Sequence, residues 1–333
     1  MNKHEWIAGI LAEKHKKPLP ILSYPAIQKL GTTVRELIMS STLQARGMKI
    51  VADSFPTLAS VSLMDLSVEA ECFGANIIVS DGEVPTVSGA LVTTPEEAAA
   101  LKVPPLSAGR AGLYVDAIKR AKELISGRPV LAGVIGPFSL AGRLVDVTEA
   151  MILCYEDPEM LKTVLDKATD FLVNYIRAYR EAGADGVVIA EPLAGMLSPD
   201  LCAEFSEPYI RRIVQSCGAD DFLLVYHNCG NGAVRMLDSI LNTGCDMYHF
   251  GDAVDMREVL KRMPQGVIAL GNVSPANEFL GGTPKSVYEA TQALLRDCAA
   301  YPNFVLSSGC DIPPLSPWEN IEAFFRAAEE FKA

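Results

Sequence analysis

The chain has 333 residues, 49% of them hydrophobic and 21% charged, a composition that suits a folded globular protein and excludes intrinsic disorder. Its formal charge of −12 comes with Lys and Arg scattered along the sequence, so no basic stripe is present to grip a nucleic-acid backbone. Apolar runs such as Val130–Ile135 are strand-sized, far short of a membrane span, and the short apolar run Ile7–Leu11 is flanked by charge, unlike a signal peptide. The expectation is a cytoplasmic protein with no membrane partner.

In chain order, the first third is irregular. Leu19–Ser23 and Asn76–Val79 look like strands, a helical stretch covers about Leu58–Phe73, and Pro85–Val92 is an extended segment that fits no simple pattern. From about residue 130 the pattern becomes regular. Strand Val130–Ile135 lies between Pro129 and Gly136-Pro137. A long helix over Pro158–Ala182 has Asp157 as N-cap, proline at its first position and Gly183 after its end. Strand Gly186–Ala190, a helix over roughly Pro199–Ser216, strand Phe222–Tyr226 and a helix near Ala233–Leu241 follow. Strand Met247–Phe250, a helix near Met256–Met263, strand Val267–Leu270, helix Pro284–Ala300, strand Phe304–Leu306 and helix Pro317–Phe331 complete the run. Most of these strands are almost continuously apolar, as in a parallel sheet covered on both faces.

Two early strands and six later ones predict a (β/α)8 TIM-like barrel with an N-terminal elaboration. No linker, repeat or low-complexity tract interrupts it. The expectation is one domain over 1–333, with residues 1–128 including the elaboration. An open doubly wound sheet is disfavoured, because neither a G-x-G-x-x-G turn nor a P-loop follows any early strand.

In such a barrel the chemistry lies at the C-terminal strand ends. There the sequence places Gly136-Pro137-Phe138-Ser139, Glu191-Pro192, His227-Asn228-Cys229-Gly230, Gly251-Asp252, Gly271-Asn272 and Ser308-Gly309-Cys310-Asp311. His227 and Cys229 are two apart, so an extended backbone points both the same way. Imidazole nitrogen and thiolate sulfur bind zinc at about 2.0 and 2.3 Å, and Cys310 on the last strand can reach the same mouth. Three protein ligands leave a fourth position open, the mark of a catalytic zinc site. Zinc lowers a thiol's pKa from about 8.5 and so prepares it as a nucleophile. The other six cysteines sit in helical or strand patterns and read as structural thiols; His249, inside a strand, reads as a packing residue.

Gly136-Pro137-Phe138-Ser139-Leu140-Ala141, Glu191-Pro192, Ser198-Pro199 with Pro208-Tyr209, and Gly271-Asn272-Val273-Ser274-Pro275 resemble the uroporphyrinogen decarboxylase superfamily over nearly the whole chain. His227-Asn228-Cys229-Gly230 and Ser308-Gly309-Cys310-Asp311 resemble the zinc motif of its methylcobamide:coenzyme M methyltransferase branch. Asp65–Gly74 with Pro85-Thr86-Val87 is also similar to that branch. The resemblance implies zinc on His227, Cys229 and Cys310, and methyl transfer from a methylcobamide on a partner corrinoid protein to a small thiol, leaving cobalt(I). Glu191, Asp252 and Asp311 are rim carboxylates that would serve as a further ligand or catalytic group. Arg143 and Arg235 are candidate anchors for an anionic acceptor such as coenzyme M. The true decarboxylases carry an arginine motif, R-Q-A-G-R-Y, where this chain has Ile21-Leu22-Ser23-Tyr24-Pro25-Ala26-Ile27. Without it, a substrate bearing several carboxylates lacks its partner charge. Tetrapyrrole decarboxylation and a non-catalytic barrel that binds a corrinoid protein are the alternatives.

Overall fold

A computed structural model describes residues 1–332. Its centre is a curled parallel sheet of seven strands: β1 (Ser60–Val61), β4 (Val130–Ile135), β5 (Gly186–Ala190), β6 (Leu223–Asn228), β7 (Met247–Phe250), β8 (Ile268–Val273) and β9 (Phe304–Ser308), neighbours in that order. Every pairing among them is parallel. The helices between strands pack on the outside, the longest being Pro158–Glu181, where the Asp157 side chain accepts from the Met160 N–H at 3.0 Å and Gly183 takes φ +96°. The helix expected over Pro199–Ser216 is two helices, Pro199–Phe205 and Glu207–Cys217, with Ser206 between them. Pro208 at the start of the second has no N–H with which to continue the first.

The first third departs from expectation in three ways. Asn76–Ile78 (β2) is not a barrel strand; it pairs antiparallel with Thr86–Ser88 (β3) in a separate hairpin, where Ile78 is 58% exposed. The stretch expected as a helix over Leu58–Phe73 contains β1 instead, and only Val68–Phe73 is helical. β1 spans two residues, one of them serine, so its identity comes from pairing with Val130 and Leu131 rather than from any local pattern.

The third departure concerns Leu19–Ser23. This segment is extended and lies where the eighth strand belongs. The Leu19 N–H donates to Leu306 O in β9 at 2.9 Å, and Pro18 O accepts from the Leu58 N–H at 3.0 Å beside β1. Pro18 and Pro20 have no N–H, so a regular ladder cannot form, and the barrel closes through scattered bonds.

Alternation along the strands separates two cores. Leu131, Val188, Leu223, Val225, Met247, Ile268, Leu270 and Val305 fill the barrel interior, together with Leu19 and Ile21. Ile10 of helix Lys3–Ala12 joins them, with Trp6, Ile7 and Leu11 alongside. The intervening residues, such as Val187, Ile189, Leu224, Tyr226 and Tyr248, pack against the outer helices. No helix among the described residues is long and apolar enough to cross a membrane.

Candidate metal centre

The inward column of β6 runs Leu223, Val225, His227 and continues to Cys229 just beyond the strand end. The two-residue spacing therefore delivers imidazole and thiol to one side, above the apolar interior. β9 delivers Cys310 from two residues past its own end. The ligand atoms of His227, Cys229 and Cys310 all lie within 4.8 Å of one another, and His227 Nε2 is 3.4 Å from Cys310 Sγ.

Glycines allow this convergence. A Cβ on Gly251 would stand 2.5 Å from the Cα of Cys229, and one on Gly309 would stand 2.7 Å from the backbone nitrogen of Asp252. No other residue permits loops to meet that closely. Asn272 holds the same region from β8: its Nδ2 donates to Gly251 O at 2.9 Å and to Val254 O at 2.6 Å.

The electrostatics divide the cysteines. The neighbouring Cys310 thiol, with His227 close by, holds the Cys229 thiol below the ordinary range despite its burial. Cys310 moves in the opposite direction, raised by the neighbouring Cys229 and by burial. Cys72, Cys202, Cys245 and Cys298 are each pushed up to about 12 by burial, and Cys154 to about 11. Burial also raises the Cys217 thiol. These six are buried and unpaired, as their sequence context predicts. Two soft sulfurs and one imidazole nitrogen, their ligand atoms within 4.8 Å of one another, fit a zinc ion.

The remaining sequence candidates lie in different surroundings. Glu191 is fully buried, and its two carboxylate oxygens accept the Phe138 N–H at 3.0 Å and the Ser139 N–H at 2.6 Å, capping helix Pro137–Val145. Burial pushes its carboxyl up to about 7 against the pull of those bonds. Asp252 is exposed on the turn after β7, against Gly309. Asp311 accepts the Met64 N–H on Oδ2 at 3.1 Å while Oδ1 is enclosed without a partner, and burial raises its carboxyl to about 8. Arg143 lies half-buried on helix Pro137–Val145, its Nε enclosed and unpartnered. Arg235 is exposed in a groove with Met151, Tyr155, Met196 and Ser198, among whose lining residues none of the three clustered side chains appears.

Two features escaped the sequence. His249 is not a packing residue alone: its Nδ1 meets His227 Nδ1 at 2.7 Å and its Nε2 meets Ser307 Oγ at 2.7 Å. Burial, then the neighbouring His227, keeps its pKa well below the usual histidine value. Its signal was parity, since Met247 and His249 share the inward face of β7. The second is an ion cluster near β1, where Arg110 bonds Asp65, Glu71 and Ser67, and the Tyr114 hydroxyl donates to Asp65 at 2.6 Å. The four residues it joins to Asp65 are spread over residues 67–114, so no local pattern announces it.

The fold and the site together define a parallel α/β barrel with a thiol and imidazole cluster at its C-terminal mouth. The model of the uroporphyrinogen decarboxylase (URO-D) family matches residues 21–331, and the chain belongs to that family. It is 30% identical over 273 residues to a methylcobamide:CoM methyltransferase MtbA of Methanosarcina acetivorans, covering 80% of this chain and 78% of the relative. It is 31% identical over 229 residues to a uroporphyrinogen decarboxylase of Synechococcus, covering 64% of this chain and 62% of that enzyme. Among solved structures, a methyltransferase from Methanosarcina mazei superimposes with a TM-score of 0.86 at 25% identity, covering 100% of this chain and 99% of that one.

Proposed function

We propose that this protein is a zinc-dependent methyltransferase that moves a methyl group from a methylated corrinoid protein to a small thiol such as coenzyme M, with the whole chain as one barrel domain. The observation that carries the reading is the group His227, Cys229 and Cys310, two thiols and an imidazole within 4.8 Å at the barrel mouth. The MtbA relative and the Methanosarcina mazei methyltransferase support the transfer class.

Cys229 and Cys310, both deprotonated, and His227 through Nε2 would hold the ion. Bound there, zinc supplies the Lewis acidity that keeps an entering thiol ionised near neutral pH. The acceptor sulfur then takes the methyl carbon, while the donor corrinoid keeps the electron pair of the broken bond. The three residues leave one side of the site to the acceptor. Asp252 and Asp311 stand beside Gly309 and Cys310 in sequence or space and suit a temporary fourth ligand. Glu191, with both oxygens engaged by backbone N–H groups, suits positioning of the Gly136–Ser139 turn instead. Of the two arginines, Arg143 is the better anion anchor, because an enclosed guanidinium N–H without an acceptor is poised to receive one.

Decarboxylation is the second reading, favoured by the Synechococcus relative. Against it stand the clustered ligands and the absence of arginine between Ile21 and Ile27. Zinc content of the purified protein, with X-ray absorption before and after adding coenzyme M, tests the choice. About one zinc per chain, gaining a sulfur neighbour with thiol, is the expected result. Metal-free protein that refuses added zinc would sink the proposal and turn attention to tetrapyrrole binding.

A further inference from the structure

We infer that His249 and Ser307 are positioning residues that fix the proton of His227 on Nδ1, so that only Nε2 of His227 faces the two cysteines. The inference deepens the metal-site reading and rests on it for its consequence, but the proton assignment stands on the hydrogen-bond chain and the burial of His249.

The relay starts at the main chain. Leu19 O can only accept, so the Ser307 hydroxyl spends its single proton on it, at 2.7 Å. Ser307 Oγ must then accept at its 2.7 Å contact with His249 Nε2, which therefore carries a hydrogen. His249 is 2% exposed and, among the described residues, no carboxylate is hydrogen-bonded to it, so a second proton would leave a buried charge without a counter-charge. The neutral ring keeps Nδ1 as an acceptor. At 2.7 Å from that acceptor, His227 Nδ1 must donate. The proton order Leu19, Ser307, His249, His227 leaves His227 Nε2 as the only nitrogen available to a metal, on the side where Cys310 Sγ lies at 3.4 Å.

The geometry follows from strand parity. His227 and His249 are register partners on β6 and β7, and Ser307 sits on the inward face of β9 above Val305. The accepting carbonyl belongs to the proline-interrupted segment that fills the eighth strand position, so barrel closure itself anchors the relay. An outer-shell partner of a ligating histidine typically contributes a factor of about 10 to 100 in metal affinity.

Two measurements test this. The chain has four histidines, so nitrogen-15 histidine labelling of the metal-free protein gives a spectrum assignable with single variants. His227 should show its proton on Nδ1 in the wild type and lose that preference in Ser307→Ala, where His249 can reverse its own tautomer. A wild-type His227 with Nδ1 bare would overturn the inference whatever the protein does with zinc.

The second measurement is zinc affinity by chelator competition. His249→Phe should weaken binding about 10- to 100-fold, and Ser307→Ala should weaken it in the same direction without touching the metal. His249→Asn, which returns an acceptor near the Nδ1 position, should recover most of the loss. Wild-type affinity in both His249→Phe and Ser307→Ala would overturn the inference while leaving the zinc site intact. Failure of the wild type to bind zinc would instead remove the proposed function, with the labelling experiment still deciding the proton order.

Discussion

The lower and upper halves of the barrel interior are built from the same inward columns and do opposite things. On β6 the column reads Leu223, Val225, then His227 and Cys229; on β7, Met247 then His249; on β9, Val305 then Ser307. Below the boundary every side chain is apolar and stabilises by leaving water. Above it, on these three strands, the groups are polar, and hydrogen bonds join His227 to His249, His249 to Ser307 and Ser307 to Leu19 O. A single strand thus changes from core to chemistry within two residues. The change falls toward the C-terminal ends, where the loops can close over it.

Cutting one ligand from the upper half should have the largest effect. Cys310→Ala is expected to reduce zinc affinity by more than the about 100-fold that an outer-shell loss costs, and to stop methyl transfer. Metal analysis of the variant checks this, and retained zinc with retained transfer would remove Cys310 from the site. The matching cut in the lower half is Leu223→Ala. Leu223 is fully buried, so the cavity should lower stability by about 2–5 kcal/mol in a denaturant melt. Bound zinc should nevertheless stay at one per chain. If that variant lost its zinc while still folded, the two halves would not be separable.

A third test uses the cysteines of both regions in metal-free protein. The Cys229 thiol is held below the ordinary thiol range, so its alkylation rate should be nearly flat between pH 6 and 9. An ordinary thiol gains about tenfold per unit below its pKa of about 8.5. Cys245 and Cys298, pushed up to about 12 by burial, should stay unmodified through the same window. Mass spectrometry of each site reads the outcome; a steep profile at Cys229 would dissolve the contrast.

The smallest expected effect is at Asn272, which fastens the Gly251–Val254 turn beneath Cys229. Asn272→Ala should cost about 1 kcal/mol or slightly more in stability, because two carbonyls lose their donor. It should weaken zinc less than His249→Phe. An equal or larger metal loss would place the turn, rather than the histidine pair, in control of the site.

The sequence by itself determined the six later strands, because each is a short apolar run bounded by turn residues and both faces are covered. It also determined the side on which His227 and Cys229 stand, since parity in an extended strand is a local property. It brought out Cys310 as the second thiol at a strand end, but not the glycine contacts at Gly251 and Gly309 that let it arrive. The tertiary structure alone decided that Ser60–Val61 is a barrel strand and Asn76–Ile78 is not. Two residues carry no period, and strand membership there depends on what they pair with. It alone decided that prolines 18 and 20 leave the eighth position irregular yet filled. The relay through His249 and Ser307 belongs to the same class. Its members lie 22 and 58 residues apart, and a hydrogen bond's direction is set by what each atom finally meets, which no local pattern encodes.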